Sequence, residues 1–166
     1  MNNTQNLQLK YGMNPHQTPA SVNSNNAFSI INGTLGYINV LDCLHGWLMA
    51  YEVYKSTGKI TFVSMKHTSP AGLGIGTHIS NETMDIFGLE NSQRESLTEC
   101  SIAFIKSRNC DPLSSFGDFI CCSSTVDEQT ARLIKREVCD GIAAVDYTPE
   151  ALEILKSKKN GKFIIL

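Results

Sequence analysis

The chain has 166 residues, which suits a single domain, and its apolar fraction of 42% and charged fraction of 18% are ordinary for a globular protein. A formal net charge of −2 at pH 7 offers no basic surface of the kind that binds nucleic acid, so we expect no nucleic-acid partner. No apolar run approaches the ~20 residues that span a bilayer, and the amino terminus lacks a signal-peptide core. We therefore expect a cytoplasmic protein with no membrane partner.

The six cysteines show no spacing typical of a metal or redox site, because no C-x-x-C pair occurs. In a reducing cytosol such cysteines are most simply small buried residues. We expect no bound metal.

Two segments precede the first clear helix. Residues 1–8 are polar and are predicted to form a disordered tail, which places the folded domain at 9–166. A strand is predicted over 28–31, closed by the turn signal Asn32-Gly33.

The longest helical pattern follows. Asn39 is its predicted N-cap, and Asp42 falls in its first turn, where a carboxylate interacts favourably with the helix dipole. Apolar residues recur at helical spacing up to Gly58, the predicted C-cap. An apolar strand is predicted over 60–65, so the segment from 28 to 65 is expected to form a strand–helix–strand unit.

The most informative stretch is the end of that strand. Lys66 and His67 come directly after it, and a loop is predicted around Gly72, Gly74 and Gly76, where the backbone could approach a ligand closely. Ligands of α/β proteins bind outside the carboxyl ends of strands. The sequence therefore predicts a site here, although Lys66 and His67 could also be simple solvated loop residues.

The second half of the chain alternates between helical and strand patterns. Helices are predicted over 93–107, over 127–136 with Ser124 or Thr125 as the cap, and from Thr148-Pro149 to about 160. Strands are predicted over 119–122, 141–145 and 162–166. This alternation indicates an α/β domain with a mostly parallel or mixed sheet.

Six short segments carry a family resemblance. They are LKYGMNPHQ at 9–17, GYINVLD at 36–42, MKHTSPAG at 65–72, DPLSSFGDF at 111–119, REVCDGIAA at 136–144 and ALEILKSKKNG at 151–161. As an ordered set they resemble the aminoimidazole carboxamide ribonucleotide (AICAR) transformylase of purine biosynthesis. The resemblance runs from residue 9 to residue 166 and covers only the first part of the transformylase domain.

The resemblance implies a zinc-free, cytidine-deaminase-like three-layer α/β/α fold with a mixed sheet, the first of two such folds in tandem. The sequence agrees in lacking the H-x-E and P-C-x-x-C pattern of the zinc enzymes. The resemblance covers neither the second fold nor the cyclohydrolase domain of the bifunctional members, so we expect the chain to hold the first fold alone. Because the family works as a dimer, a second copy or a complementary C-terminal half is the expected partner.

The activity that the resemblance implies is formyl transfer from 10-formyltetrahydrofolate to the 5-amino group of AICAR. The product, formyl-AICAR, leads to IMP, and the folate is a co-substrate rather than a bound cofactor. This chain would be a partial enzyme that needs the missing half. The alternative is a truncated, non-catalytic chain that keeps a partial nucleotide pocket or an interaction surface.

The resemblance also assigns site residues. His67 matches the catalytic histidine that accepts a proton, and Lys66 matches the neighbour that assists transfer. Lys10 and Tyr11 match a nucleotide-binding pair that is usually Arg-Tyr. Further AICAR contacts are implied at Asn39, Gly117 and Asp140, although these three could equally serve as a helix cap, a turn residue and a strand-edge acid.

Overall fold

The computed structural model describes residues 6–166. Its strands are β1 (Asn6–Leu9), β2 (Ala20–Asn23), β3 (Thr61–Lys66), β4 (Ser69–Ile75), β5 (Asp118–Val126), β6 (Cys139–Tyr147) and β7 (Ile164–Ile165). Its helices are α1 (Tyr37–Thr57), α2 (Asn81–Ile86), α3 (Asn91–Arg94), α4 (Glu99–Asn109), α5 (Glu128–Arg136) and α6 (Pro149–Lys156), and a 3₁₀ turn covers Lys158–Gly161.

The main sheet has five strands in the order β4-β3-β5-β6-β7. Strand β3 runs antiparallel to both β4 and β5, whereas β5, β6 and β7 are parallel to one another. Strands β1 and β2 form a separate antiparallel hairpin. The prediction of an α/β domain with a mixed sheet is therefore confirmed.

Helices cover both faces of the sheet, which makes three layers. On β5, Phe119 and Cys121 pack in one apolar cluster with residues of α1. Ile120 and Cys122, which alternate with them, pack in a second cluster with residues of α4, α5 and α6. This period-two alternation is the pattern of a strand buried on both faces. Five of the six cysteines are buried as expected. The exception is Cys110, which is exposed at the carboxyl-terminal end of α4.

Two predictions near the amino terminus are wrong. Residues 6–8 of the predicted tail belong to β1, because their backbone pairs with β2 and Leu7 is buried; residues 1–5 lie outside the described part. Residues 28–31 form no strand. Instead, Ile31 N donates to Ile165 O at 2.8 Å and Asn32 makes an isolated bridge with Ile165. The predicted strand–helix–strand unit is absent for this reason.

The start of α1 also differs from the prediction. Gly36 is the N-cap, and Asn39 is the third helical residue, whose Oδ1 accepts a hydrogen bond from Gly36 N at 3.0 Å. Asn39 therefore caps the helix from inside rather than from its first position. Gly58 is confirmed as the left-handed C-cap, with φ of 66°.

The predicted glycine loop is strand β4, and this is the largest correction. Its glycines contact α4: a Cβ on Gly72 would lie 2.1 Å from Ser107 O, and a Cβ on Gly74 would lie 2.3 Å from Ala103 O. Real Cβ atoms do not come this close to a carbonyl oxygen. The glycines therefore let α4 lie directly on the sheet and are not part of a ligand loop.

The later elements follow the predictions with shifted ends. The helix predicted over 93–107 is divided, and α4 begins after its N-cap Thr98. Asp127, rather than Ser124 or Thr125, caps α5 through a hydrogen bond from Thr130 N. Thr148 caps α6 with Pro149 at its first position, as predicted.

Candidate functional site

A cleft of about 420 Å³ lies at one edge of the sheet. Strand β3 reaches it with its carboxyl end, whereas β5, β6 and β7 reach it with their amino ends, because β3 is antiparallel to β5. Of these four strands, only β3 has its carboxyl end at the cleft, which is the end where the sequence predicts a site. All seven residues that the sequence singled out line this cleft: Lys10, Tyr11, Asn39, Lys66, His67, Gly117 and Asp140.

His67 and Thr68 are the two turn residues of the hairpin that joins β3 to β4. Lys66 pairs with Ser69 across the turn, and φ is 51° at His67 and 67° at Thr68. Two positive φ values are typical of a type I′ turn, which glycine and asparagine usually occupy. A non-glycine residue in this region costs of order 1–3 kcal/mol, and such strain often occurs at functional sites. The exposed His67 side chain is therefore displayed on a strained turn.

Lys66 connects this hairpin to the segment before β5. Its Nζ donates a hydrogen bond of 2.7 Å to Gly117 O. Gly117 has φ of 73°, and a Cβ there would lie 2.9 Å from Lys66 Nζ. Gly117 N donates to Val138 O at 2.8 Å, which fixes the segment to the start of β6. Glycine is thus required here for both its conformation and its size.

A buried polar network lies behind the cleft. Asp118 is fully buried; its Oδ2 accepts a hydrogen bond of 2.6 Å from Ser64 Oγ, and its Oδ1 pairs with the Arg108 guanidinium. The Oγ atoms of Ser64 and Ser115 lie 2.9 Å apart. Burial raises the pKa of Asp118, and the Arg108 charge opposes that rise. The network holds the segment from 115 to 118, and therefore Gly117, against β3.

Two lysines that the sequence reasoning missed also line the cleft, Lys159 and Lys162. Lys159 Nζ pairs with Asp140 Oδ1 at 2.6 Å. The backbone is left-handed at Lys159, Asn160 and Gly161, with φ of 51°, 52° and 80°. The K-K-N-G-K turn after α6 was a visible signal for a lysine-bearing loop, but nothing local indicated that it faces Asp140.

Asp42 is the third missed residue of the cleft. The sequence predicts that it interacts with the helix dipole from the first turn, but it is 4% exposed and its Oδ1 accepts a hydrogen bond of 2.7 Å from Thr68 N. Burial raises the pKa of Asp42, while the Thr68 hydrogen bond and the nearby His67, Lys66 and His45 oppose the rise. The dipole interpretation of Asp42 is therefore wrong, because the helix begins at Tyr37 and Asp42 lies beyond its first turn.

The cleft as a whole is cationic. Four lysines and His67 line it, against the carboxylates of Asp42 and Asp140. Ammonium groups around a partly enclosed space suit a phosphate, and amide and carboxylate groups suit the donors and acceptors of a heterocycle. Chemically, the arrangement can bind a phosphorylated polar ligand and present it to a base.

Two further features of residues 6–166 bear on the class of protein. No group of three or more His, Cys, Asp or Glu side chains in this range could hold a metal ion. Within the same range, no helix combines the length and apolar character needed to cross a membrane.

The fold and the cleft define an α/β domain with a lysine-rich site that carries a histidine at one sheet edge. The model of the AICARFT/IMPCHase bienzyme family matches residues 1–166. The chain belongs to this family.

Relatives named bifunctional purine biosynthesis protein PurH agree with this assignment. The protein from Clostridioides difficile strain 630 is 32% identical over 164 residues, which is 95% of this chain and 28% of the relative. The protein from Clostridium botulinum strain Hall is 30% identical over 166 residues, which is 96% of this chain and 28% of the relative. The chain thus spans little more than a quarter of the length of these curated relatives.

Proposed function

We propose that the chain supplies the nucleotide-binding and general-base part of an AICAR formyltransferase. In this proposal it is the first of two tandem cytidine-deaminase-like folds. The observation that carries the proposal is the meeting of Lys66 and His67 with the five other assigned residues in one cationic cleft, although they come from five separate parts of the chain. The membership of the family supports the reaction class.

The proposed chemistry is an attack by the 5-amino group of AICAR on the formyl carbon of 10-formyltetrahydrofolate. The new nitrogen–carbon bond forms as His67 accepts the amine proton, a role that imidazole side chains most often fill in general-base catalysis. The bond from the formyl carbon to N10 then breaks, and N10 leaves with the proton that His67 took from the amine. Lys66, an ammonium beside the histidine, would stabilise the negative charge on the formyl oxygen.

The nucleotide would lie along the cationic side of the cleft. Lys10 replaces the usual arginine of the family, so it would hold the phosphate as a point charge rather than through a bidentate fork. Lys159 and Lys162 would add charge on the same ligand. Since Asn39 Oδ1 accepts from Gly36 N, the contact proposed for Asn39 would come from its Nδ2 donors.

The chain would work with a partner in the cytoplasm. Because it spans 28% of its relatives, we propose that a complementary C-terminal half, or a second copy that contributes to the site, completes the folate subsite. The alternative is a non-catalytic chain that binds the nucleotide and transfers nothing.

The test has two steps. First, calorimetric titration of the chain with AICAR should show binding that Lys66→Ala weakens. Lys55→Ala should leave the binding unchanged, because Lys55 packs over Tyr51 on α1.

Second, the chain is mixed with the remaining part of the C. difficile relative, or fused to it if sedimentation shows no association. Formyl transfer that His67→Ala abolishes supports the proposal. Binding without transfer in the fused protein supports the alternative, and transfer that survives His67→Ala contradicts the role of His67.

A further inference from the structure

We propose that Asp42 is a positioning residue that holds the His67-Thr68 turn in its left-handed conformation. The inference about the turn stands on geometry alone; its consequence for the rate of formyl transfer rests on the proposed function. Asp42 Oδ1 accepts the Thr68 N–H at 2.7 Å, across 26 residues of sequence. The contact joins the middle layer of the fold to α1 at the point where the histidine is displayed.

Asp42 can reach the turn because α1 packs closely on the sheet at the neighbouring Gly46. Gly46 lies one helical turn after Asp42, on the same side of α1. A Cβ on Gly46 would lie 2.7 Å from Met65 Cγ and 2.8 Å from Cys121 Sγ. The absence of a side chain at Gly46 thus brings α1 close enough to β3 and β5 for the short Asp42 side chain to reach the hairpin.

The turn needs such a partner. His67 and Thr68 both have positive φ, and Thr68 is β-branched, which makes this backbone region especially unfavourable for it. No glycine or asparagine in the turn relieves the cost. A hydrogen bond from Thr68 N to a buried carboxylate is charge-assisted and is among the stronger contacts that a protein can supply to one amide.

The charges around Asp42 fit the same role. His67 is in the turn, Lys66 is at the end of β3, and His45 is on α1. All three favour the carboxylate form of Asp42 and oppose the effect of its burial. A carboxylate at this position therefore offsets the positive charge of these side chains and also accepts the hydrogen bond from Thr68 N.

Two substitutions distinguish the effect of the hydrogen bond that Asp42 accepts from the effect of its negative charge. Asp42→Asn keeps an oxygen that can accept from Thr68 N and removes the charge, whereas Asp42→Leu removes both. Asp146→Leu is the control, because Asp146 Oδ1 also accepts from a backbone amide, Tyr147 N at 2.8 Å, but lies at the opposite end of β6 from Asp140 and the cleft.

The first measurement is the Thr68 amide in nitrogen-15 NMR spectra of the chain. We expect the chemical shift of this amide to change as Asp42 takes up a proton when the pH is lowered. This transition should be absent in Asp42→Asn. In Asp42→Leu the Thr68 amide loses its acceptor, so its exchange with solvent should be at least about 10-fold faster. A Thr68 amide that neither titrates in the wild type nor loses protection in Asp42→Leu would overturn the proposal. If Asp42→Leu does not fold, the titration in wild type and Asp42→Asn decides.

The second measurement is kinetic and uses the reconstituted or fused enzyme. Asp42→Leu should lower kcat about 100-fold, the usual effect of a displacement near 1 Å, with little change in the KM for AICAR. Asp42→Asn should recover most of kcat, and Asp146→Leu should match the wild type. If Asp42→Asn and Asp42→Leu lose the same factor in kcat, the effect comes from the charge of Asp42, and positioning by the hydrogen bond is contradicted. If the wild type itself transfers no formyl group, the proposed function fails while the NMR result still decides the role of Asp42.

Discussion

Lys66 Nζ and the carbonyl oxygen of Gly117 are joined by a hydrogen bond of 2.7 Å that links the end of β3 to the segment before β5. The contact fixes the ammonium of Lys66, one of the residues that line the cleft. It also makes Gly117 sensitive to any added side chain.

Gly117→Ala should weaken ligand binding more than it weakens the fold. Alanine at a φ of 73° costs about 1–2 kcal/mol, and its Cβ would displace Lys66 Nζ, which lies 2.9 Å away. Gly88→Ala is the control, because Gly88 has φ of 66° with nothing within 4 Å. Urea unfolding should show similar losses for both variants, and calorimetry should show weaker AICAR binding for Gly117→Ala alone. Equal binding by the two variants would contradict this account of Gly117.

Lys159→Ala should weaken the binding of a phosphorylated ligand and reduce its dependence on salt. Lys159 lines the cleft and is held by Asp140 at 2.6 Å, and a hydrogen bond to a charged group contributes about 1.5–3 kcal/mol. The dissociation constant for AICAR should therefore rise by about 10-fold or more. The unphosphorylated nucleoside should bind the wild type and the variant equally. If the variant weakens both ligands alike, Lys159 does not contact the phosphate.

Gly74→Ala should destabilise the fold without touching the cleft directly. The added Cβ would lie 2.3 Å from Ala103 O, so α4 must shift on the sheet, and overpacking of this kind costs about 1–3 kcal/mol. Gly12→Ala is the control, since its nearest neighbours are side-chain atoms of Gln17 at 3.0–3.1 Å, a much smaller conflict than one with a backbone oxygen at 2.3 Å. The free energy of unfolding in urea should fall for Gly74→Ala and change little for Gly12→Ala.

Arg108→Met should be one of the most damaging changes behind the cleft. It would leave the buried Asp118 carboxylate without its cation, and breaking one partner of a buried pair costs about 3–5 kcal/mol. Arg132→Ala removes an exposed pair with Glu128 and should cost less than about 1 kcal/mol. Chemical unfolding of both variants tests this. Comparable losses would mean that the buried network does not stabilise the segment that carries Gly117.

The stability of the wild type relative to Asp42→Asn should fall as the pH rises. Burial raises the pKa of Asp42 above its ordinary value of 3.8, so between that value and the raised pKa the folded state binds more protons than the unfolded state. The derivative of the unfolding free energy with pH is then negative. The contribution of Asp42 is fully present below about pH 3.8 and is lost as the pH passes the raised pKa. Parallel stability curves for the two proteins would refute the shift.

Local chemistry in the sequence was enough to locate many of the elements. The end of α1 at Gly58 and the start of α6 at Thr148 and Pro149 were predicted correctly, because caps and helix ends depend on neighbours within one turn. The Lys66-His67 pair was also placed correctly at the end of a strand, since its preceding apolar run is continuous. Patterns over a few residues carry this information.

Contacts between distant segments were not visible in the same way. The glycines of β4 have the composition of a loop, and only their contacts with Ser107 and Ala103 of α4 explain them. The region at 28–31 has a strand-like composition, yet it makes only isolated bonds to Ile165. In both cases packing across the fold overrode the local pattern.

The sequence by itself pointed to seven residues that line the cleft, because Lys66 and His67 end an apolar strand and a family resemblance marked the other five. Only the tertiary structure decided how the cleft is assembled. The antiparallel direction of β3 against β5 brings one carboxyl end together with three amino ends, and no local pattern encodes the relative direction of two strands. The tertiary structure also makes Asp42, which the sequence places near a helix start, the acceptor for Thr68 N, because that contact depends on how α1 packs on the sheet.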